Sequence, residues 1–202
     1  MTTGSRPGPA RPRIEPLSPD DPLARRMTIG SDRNDGRPLN IFLTLARNEA
    51  LFKSFGKLGT HLLFEGLLPA RQREIVILRI GAVSQSEYEF GQHTVIGRDA
   101  GLTAEEIDRL AAPGTAGWSP ADAALLRLAD ELCADDVVSD ATWQELATRW
   151  NDAELLELLV LAGFYRLVSG MLSSAGVPLE PATPGWPSAA PERRRAPRAG
   201  QS

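Results

Sequence analysis

Cysteine is almost absent from this chain of 202 residues: Cys133 stands alone. One thiol makes neither an intrachain disulfide nor a CxxC redox pair. It falls at the end of Ala124–Cys133, a helical pattern, and reads as a buried structural thiol rather than a nucleophile. Histidine is scarce too. His61 and His93 are 32 residues apart, and no HxxxH or HExxH occurs, so no metal-binding pattern is present. There is no phosphate loop or dinucleotide fingerprint, and no elbow sequence surrounds Ser86 to make it a triad nucleophile. Long apolar runs are also missing. The longest, Leu155 to Val168, carries Glu157, Tyr165 and Arg166 and falls short of a membrane span. Arg25-Arg26 is followed by Met27-Thr28-Ile29-Gly30-Ser31-Asp32, which is not the apolar stretch of an export signal. A cytoplasmic protein in a reducing compartment is the expectation.

What is present is an ordinary globular composition, 42% apolar and 24% charged, long enough for one domain with a real core. Charge is uneven. Residues 1–37 carry +2 and residues 181–202 carry +3, which leaves −9 for residues 38–180. An acidic body argues against a nucleic-acid-binding face, which would be basic. The run Arg193-Arg194-Arg195 reads as part of a solvated tail. Both ends are rich in Pro and Arg with little periodicity. They are expected to be a flexible N-terminal extension (1–37) and a disordered tail (181–202) around a domain at 38–180.

The domain reads as all-α, with six or seven helices. Asn40 is placed as the cap of a first helix reaching Leu63, with Ile41, Leu45, Phe52, Phe55 and Leu58 on one face. A second opens at Pro69 and runs to Val83, and Ile75, Val76, Ile77, Leu78 and Ile80 leave it apolar on most sides, so it should be central. A third runs from Ser86 to Ala100 and stops at Gly101. Thr103-Ala104-Glu105-Glu106 is a capping box for a fourth. Ser119-Pro120, Ser139 or Asp140, and Asn151 or Asp152 start the rest, ending near Ala134, Trp150 and Ser173. Tyr88, Trp143, Trp150, Phe164 and Tyr165 are read as packing residues, one or two of which could line a pocket, and His61 as surface or interface.

Chemistry concentrates on the third helix. Spacings of three and four residues bring Ser86, Glu89 and His93 to one face. His93 has the ordinary proton-exchanging range of imidazole, and Glu89, one turn earlier, is placed to orient it. Glu74 lies twelve residues before Ser86, inside an apolar run. It is either paired with Arg71, Arg73 or Arg79 or raised in pKa by its surroundings.

At these residues the chain resembles the carboxymuconolactone decarboxylase family, which includes the alkylhydroperoxidase D-like proteins. The resemblance is carried by Leu67–Arg79, by Ser86–His93 followed by Ala100-Gly101-Leu102-Thr103, and by Leu158–Ser169. It implies an all-α alkylhydroperoxidase D-like domain in a homo-oligomeric ring, a trimer or hexamer, with sites near subunit contacts. In the peroxidase branch a Glu precedes a CxxC pair by twelve residues and a His follows the pair by four. Here Glu74 and His93 match, but Ser86 and Glu89 occupy the two cysteine positions. A thiolate and its resolving partner cannot be made from Ser and Glu, so thiol peroxidase activity is not expected.

The decarboxylase branch implies a cofactor-free lyase or isomerase acting on a small lactone or enolisable acid. His93 would be the proton donor or acceptor, with Glu89 orienting and Glu74 relaying. Arg71, Arg73 or Arg79 would hold a substrate carboxylate, with Tyr88 and Ser86 beside it. No cofactor, nucleic acid or membrane enters this reading. Two alternatives stand beside it. A thiol-independent remnant of the antioxidant branch requires an exposed, reactive Cys133. A non-catalytic ring-forming or ligand-binding protein fits a closed Glu74–Arg pair, whereas an enzyme fits a pocket shared by Glu74 and His93.

Overall fold

The computed structural model of the chain describes residues 9–27 and 30–187. Eight α-helices lie among them: α1 Asn40–Leu45, α2 Glu49–Thr60, α3 Ala70–Val83, α4 Glu87–Asp99, α5 Ala104–Ala111, α6 Pro120–Asp135, α7 Asp140–Ala147 and α8 Asp152–Ala175. No strand occurs among the described residues. The expected first helix is in fact α1 and α2. The apolar spacing runs on through Ala46–Asn48, but Asn48 turns its side chain back to accept Leu51 N–H at 3.1 Å and starts a new helix. Asn40 is not a cap. It is the first residue of α1, and its N–H is held by the Glu180 carboxylate at 2.6 Å. α2 runs into a π-helical turn, His61–Glu65, before Pro69 caps α3.

Helix α3 is the axle. Ile75, Val76, Ile77, Leu78 and Ile80 are fully buried, and α3 packs on α4, α5, α6 and α8. Each such side chain contributes roughly 1.5–3 kcal/mol by leaving water. The elements around it start as their sequences dictate. α5 has the full Thr103–Glu106 capping box, α6 has Ser119 accepting from Asp122 N–H with Pro120 in its first turn, and α8 has an Asn151–Glu154 box. Three residues, Ser84–Ser86, join α3 to α4, with Gln85 at a positive φ of 52°. The two helices then run close together because Gly81 faces the backbone of Phe90 and Gly97 faces Leu78. A Cβ at Gly97 would sit 3.1 Å from Leu78 and 3.8 Å from Glu74 Cβ. This close approach brings Glu74 within reach of α4.

The segments flanking the domain lie along it. Arg13 N–H bonds to Ala175 O at 2.7 Å, Leu17 N–H to Leu43 O at 3.1 Å, and the Arg47 guanidinium to the carbonyls of Glu15 and Pro16. Residues 178–187 fold back over α4, where Trp186 stacks on Phe90 at 5.0 Å. Arg193-Arg194-Arg195 lies outside the described residues. Among the described residues α8 alone has the length and hydropathy of a membrane span, with 44% of its most apolar window buried. Its inner face (Leu155, Leu158, Leu161, Ala162 and Tyr165) belongs to the core.

Candidate active site

Glu74 is fully buried on α3, and its Oε2 lies 2.7 Å from His93 Nδ1 on α4. The other ring nitrogen, Nε2, lies 3.1 Å from Glu89 Oε1, one helical turn earlier. One imidazole is therefore clamped between two carboxylates. Arg73 Nε reaches the remaining Glu74 oxygen at 3.2 Å, and the Tyr165 ring meets His93 edge-on at 5.0 Å. Burial opposes a charge on His93. The fields and hydrogen bonds of Glu74 and then Glu89 outweigh it and raise its pKa to about 9. At neutral pH His93 is an imidazolium donating from both nitrogens, a proton stored between two acceptors.

His93 and Glu89 open onto a cavity of about 440 Å³; Glu74 stands behind the ring and does not line it. That volume suits a small organic molecule. The apolar wall includes Leu39, Ile41, Phe42, Phe55, Phe164 and Val168, with Phe55 and Phe164 stacked at 4.8 Å. Tyr88 and Gln92 form a polar wall. Both are tied to Glu180: Tyr88 Oη donates to it at 2.7 Å and accepts Ile41 N–H at 3.1 Å, while Gln92 Nε2 donates to its other oxygen. Burial, then the Glu180 charge, push the Tyr88 phenol far above its usual range, so it stays protonated. Tyr165 is shifted the same way, by burial first and then by Glu89 and Glu74.

The structure thus brings Glu74, Glu89, His93 and Tyr88 together. It does not bring Arg71 or Arg79 to them. Arg71 pairs with Glu106 and Asp122, and Arg79 with Asp130 and the carbonyls of Leu110 and Ala112. On a helix turning about 100° per residue, positions 71 and 79 lie within about 80° of each other, and here that side faces α5 and α6. Arg73, on the other side, lines the cavity, and so does Arg33. Ser86 is buried beside the α3–α4 turn, outside the cavity lining. Arg33 and Glu180 escaped sequence reasoning because each lies in a Pro-rich flank with no periodicity to give it a face. Cys133 is half-buried on α6 and does not line the cavity; burial, partly offset by a Ser84 hydrogen bond, raises its thiol pKa. Among the described residues no group of three His, Cys, Asp or Glu side chains is arranged to hold a metal ion.

Residues 49–131 match the carboxymuconolactone decarboxylase family. Several solved structures share the fold. One is the debrominase Bmp8, here bound to 2,3,4-tribromopyrrole as a cysteine-to-alanine variant (16% identity, 86% of this chain and 94% of that one, TM-score 0.70). Another is an alkylhydroperoxidase AhpD core, an uncharacterised peroxidase-related protein from Ralstonia eutropha JMP134 (24%, 85% and 95%, 0.71). A third is an uncharacterised peroxidase-related protein from Silicibacter sp. TM1040 (17%, 88% and 94%, 0.66). At these identities the likeness concerns the fold. A comparison with curated proteins found no match. Residues 49–131 thus resemble the carboxymuconolactone decarboxylase family, and the chain has an alkylhydroperoxidase D-like fold without the CxxC pair.

Proposed function

We propose that this protein is a cofactor-free acid–base enzyme, of carboxy-lyase or isomerase type, for a small lactone or enolisable acid. The observation that carries the reading is the Glu74–His93–Glu89 chain ending at the wall of an apolar cavity. The roles differ from those drawn from sequence. Both ring nitrogens of His93 are engaged by carboxylates, so Glu89 is the group that exchanges a proton with substrate. His93 resupplies that proton, and Glu74 holds His93 charged and oriented.

In a decarboxylation, the carbon–carboxylate bond breaks and carbon dioxide leaves. The electron pair spreads into the adjoining carbonyl as a dienolate. A proton passing from His93 through Glu89 to the carbanionic carbon then completes the product. His93 regains its proton from solvent. Apolar walls favour the first step, because they solvate the spread charge better than the compact carboxylate. Proton delivery of this kind is worth about 10²–10⁴ in rate. Thiol peroxidation is not proposed: Glu89 and Ser86 stand where a CxxC pair would be, and Cys133 does not line the cavity and has a raised pKa. The enzyme is proposed as a cytoplasmic homo-oligomer, trimer or hexamer, engaging neither nucleic acid nor membrane.

Turnover of γ-carboxymuconolactone, followed by ultraviolet absorbance, tests this. Wild type is expected to turn over, with Glu89→Gln and His93→Gln each slower by about 10²-fold or more. An inactive wild type would retire this substrate, and an unimpaired Glu89→Gln would retire the proton route.

A further inference from the structure

One guanidinium nitrogen of a cavity-lining arginine lacks a hydrogen-bond partner among the described residues. Arg33 Nη1 is buried and meets no hydrogen-bond acceptor among the described residues. Arg33 sits in a short 3₁₀ turn, Ser31–Arg33, outside the stretch that matches the family. A guanidinium keeps its charge at any working pH, and a buried charged donor without an acceptor is costly. Folded chains keep such groups where something else supplies the acceptor.

The surroundings narrow what that is. Arg33 shares the cavity with Arg73, whose Nε is spent on Glu74, and with the Glu89–His93 edge. Asp32 and Asp99, both exposed, also border the cavity, and neither hydrogen-bonds Arg33 Nη1. Both Glu74 oxygens are engaged, by Arg73 and His93, and Glu89 Oε1 is engaged by His93. Apart from the polar Tyr88–Gln92 side, most of the remaining wall is aromatic and aliphatic. A ligand that completes this site is therefore flat and largely apolar and carries an oxyanion for Arg33.

We propose that Arg33 is the anion-holding, specificity-determining residue of this cavity, and that the cavity takes a small planar molecule with a carboxylate that is held there and is not the group lost in the reaction. The carboxylate sits on Arg33, with the Arg73 charge nearby, and the apolar body lies against Phe55 and Phe164. This orients the far end of the molecule toward Glu89. A carboxylate suits the fork of one guanidinium, which gives two parallel bonds in one plane. A phosphate dianion would call for more donors than the apolar wall offers. The assignment rests on the cavity being the ligand site, as proposed above. It adds that the segment before α1 supplies part of that site.

Isothermal titration calorimetry with benzoate and with its neutral counterpart benzyl alcohol separates the possibilities without turnover. Wild type is expected to bind benzoate about tenfold or more tightly than benzyl alcohol. Arg33→Gln is expected to weaken benzoate about tenfold and leave benzyl alcohol within about twofold, and Arg33→Lys to fall between. Far-UV circular dichroism checks that both variants fold, and the benzoate-to-alcohol ratio in wild type needs no variant. Equal binding of the two probes, binding of neither, or equal weakening of both by Arg33→Gln would overturn the proposal. Arg33-dependent benzoate binding in a protein that never turns over γ-carboxymuconolactone would keep this assignment and retire that substrate. Turnover indifferent to Arg33→Gln would do the reverse.

Discussion

His93 is the residue whose state sets the rest. Its pKa stands near 9 in the fold against an ordinary 6.5, because two carboxylates outweigh burial. A raised pKa means the folded state binds the proton more tightly than the unfolded one. The resulting stabilisation is complete below about pH 6.5, fades as pH rises through the interval, and is gone above about 9. At 1.36 kcal/mol per unit this is on the order of 3 kcal/mol. Thermal unfolding of wild type should therefore drop in midpoint between pH 6.5 and 9, while His93→Gln should show little of that slope. A His93→Gln profile parallel to wild type would show that another group carries it. Sequence spacing alone placed Glu89 and His93 on one face, because i and i+4 neighbours on a helix are bound to meet. It also flagged Glu74 as a carboxylate in apolar surroundings. It could not choose among Arg71, Arg73 and Arg79, since the choice depends on which side of α3 meets the acids of α5 and α6.

At the scale of elements, the site depends on how closely backbone passes backbone. Gly91 shows this best, because a Cβ there would run into the carbonyl oxygen of Pro184 and the methyl of Thr183. The neighbour is backbone and cannot swing aside as a side-chain tip would. Gly91→Ala should therefore lift residues 180–187 from α4, loosening Glu180 from Tyr88 and Gln92. The expected loss is about 1–3 kcal/mol in urea unfolding, with reduced stacking of Trp186 on Phe90 visible in tryptophan fluorescence. Wild-type stability and an unchanged spectrum would mean that this segment does not pack as described. None of this was legible in the chain, where residues 181–187 read as tail. Helix identities were legible, because capping boxes and an all-round apolar α3 are local signals. The break at Asn48 was not, because the apolar face of α1 continues in phase into α2 and only a three-dimensional turn separates them.

For the whole molecule the open question is what covers the outer face of α8. Its inner face is core, yet Leu156, Val160 and Leu167 are 62%, 41% and 58% exposed, spaced along one outer stripe. Phe64, at the end of the π turn after α2, is 76% exposed. Scattered apolar residues on a surface are normal, but a stripe along one helix that already has membrane-like hydropathy is a recognisable docking feature. A bilayer is a poor occupant, because α8 cannot leave α3 without dismantling the core that holds Glu74. A second copy of the chain fits better, since a symmetric contact lets the same apolar stripe bury itself on its twin or on a neighbouring face. Light scattering coupled to size exclusion should therefore give a multiple of 21.8 kDa. Leu156→Glu with Leu167→Glu should return the protein to monomer with its circular dichroism unchanged, because both side chains already face water in the single chain. If wild type elutes as a monomer, the stripe is not an oligomer contact, and the cavity must be complete within one chain.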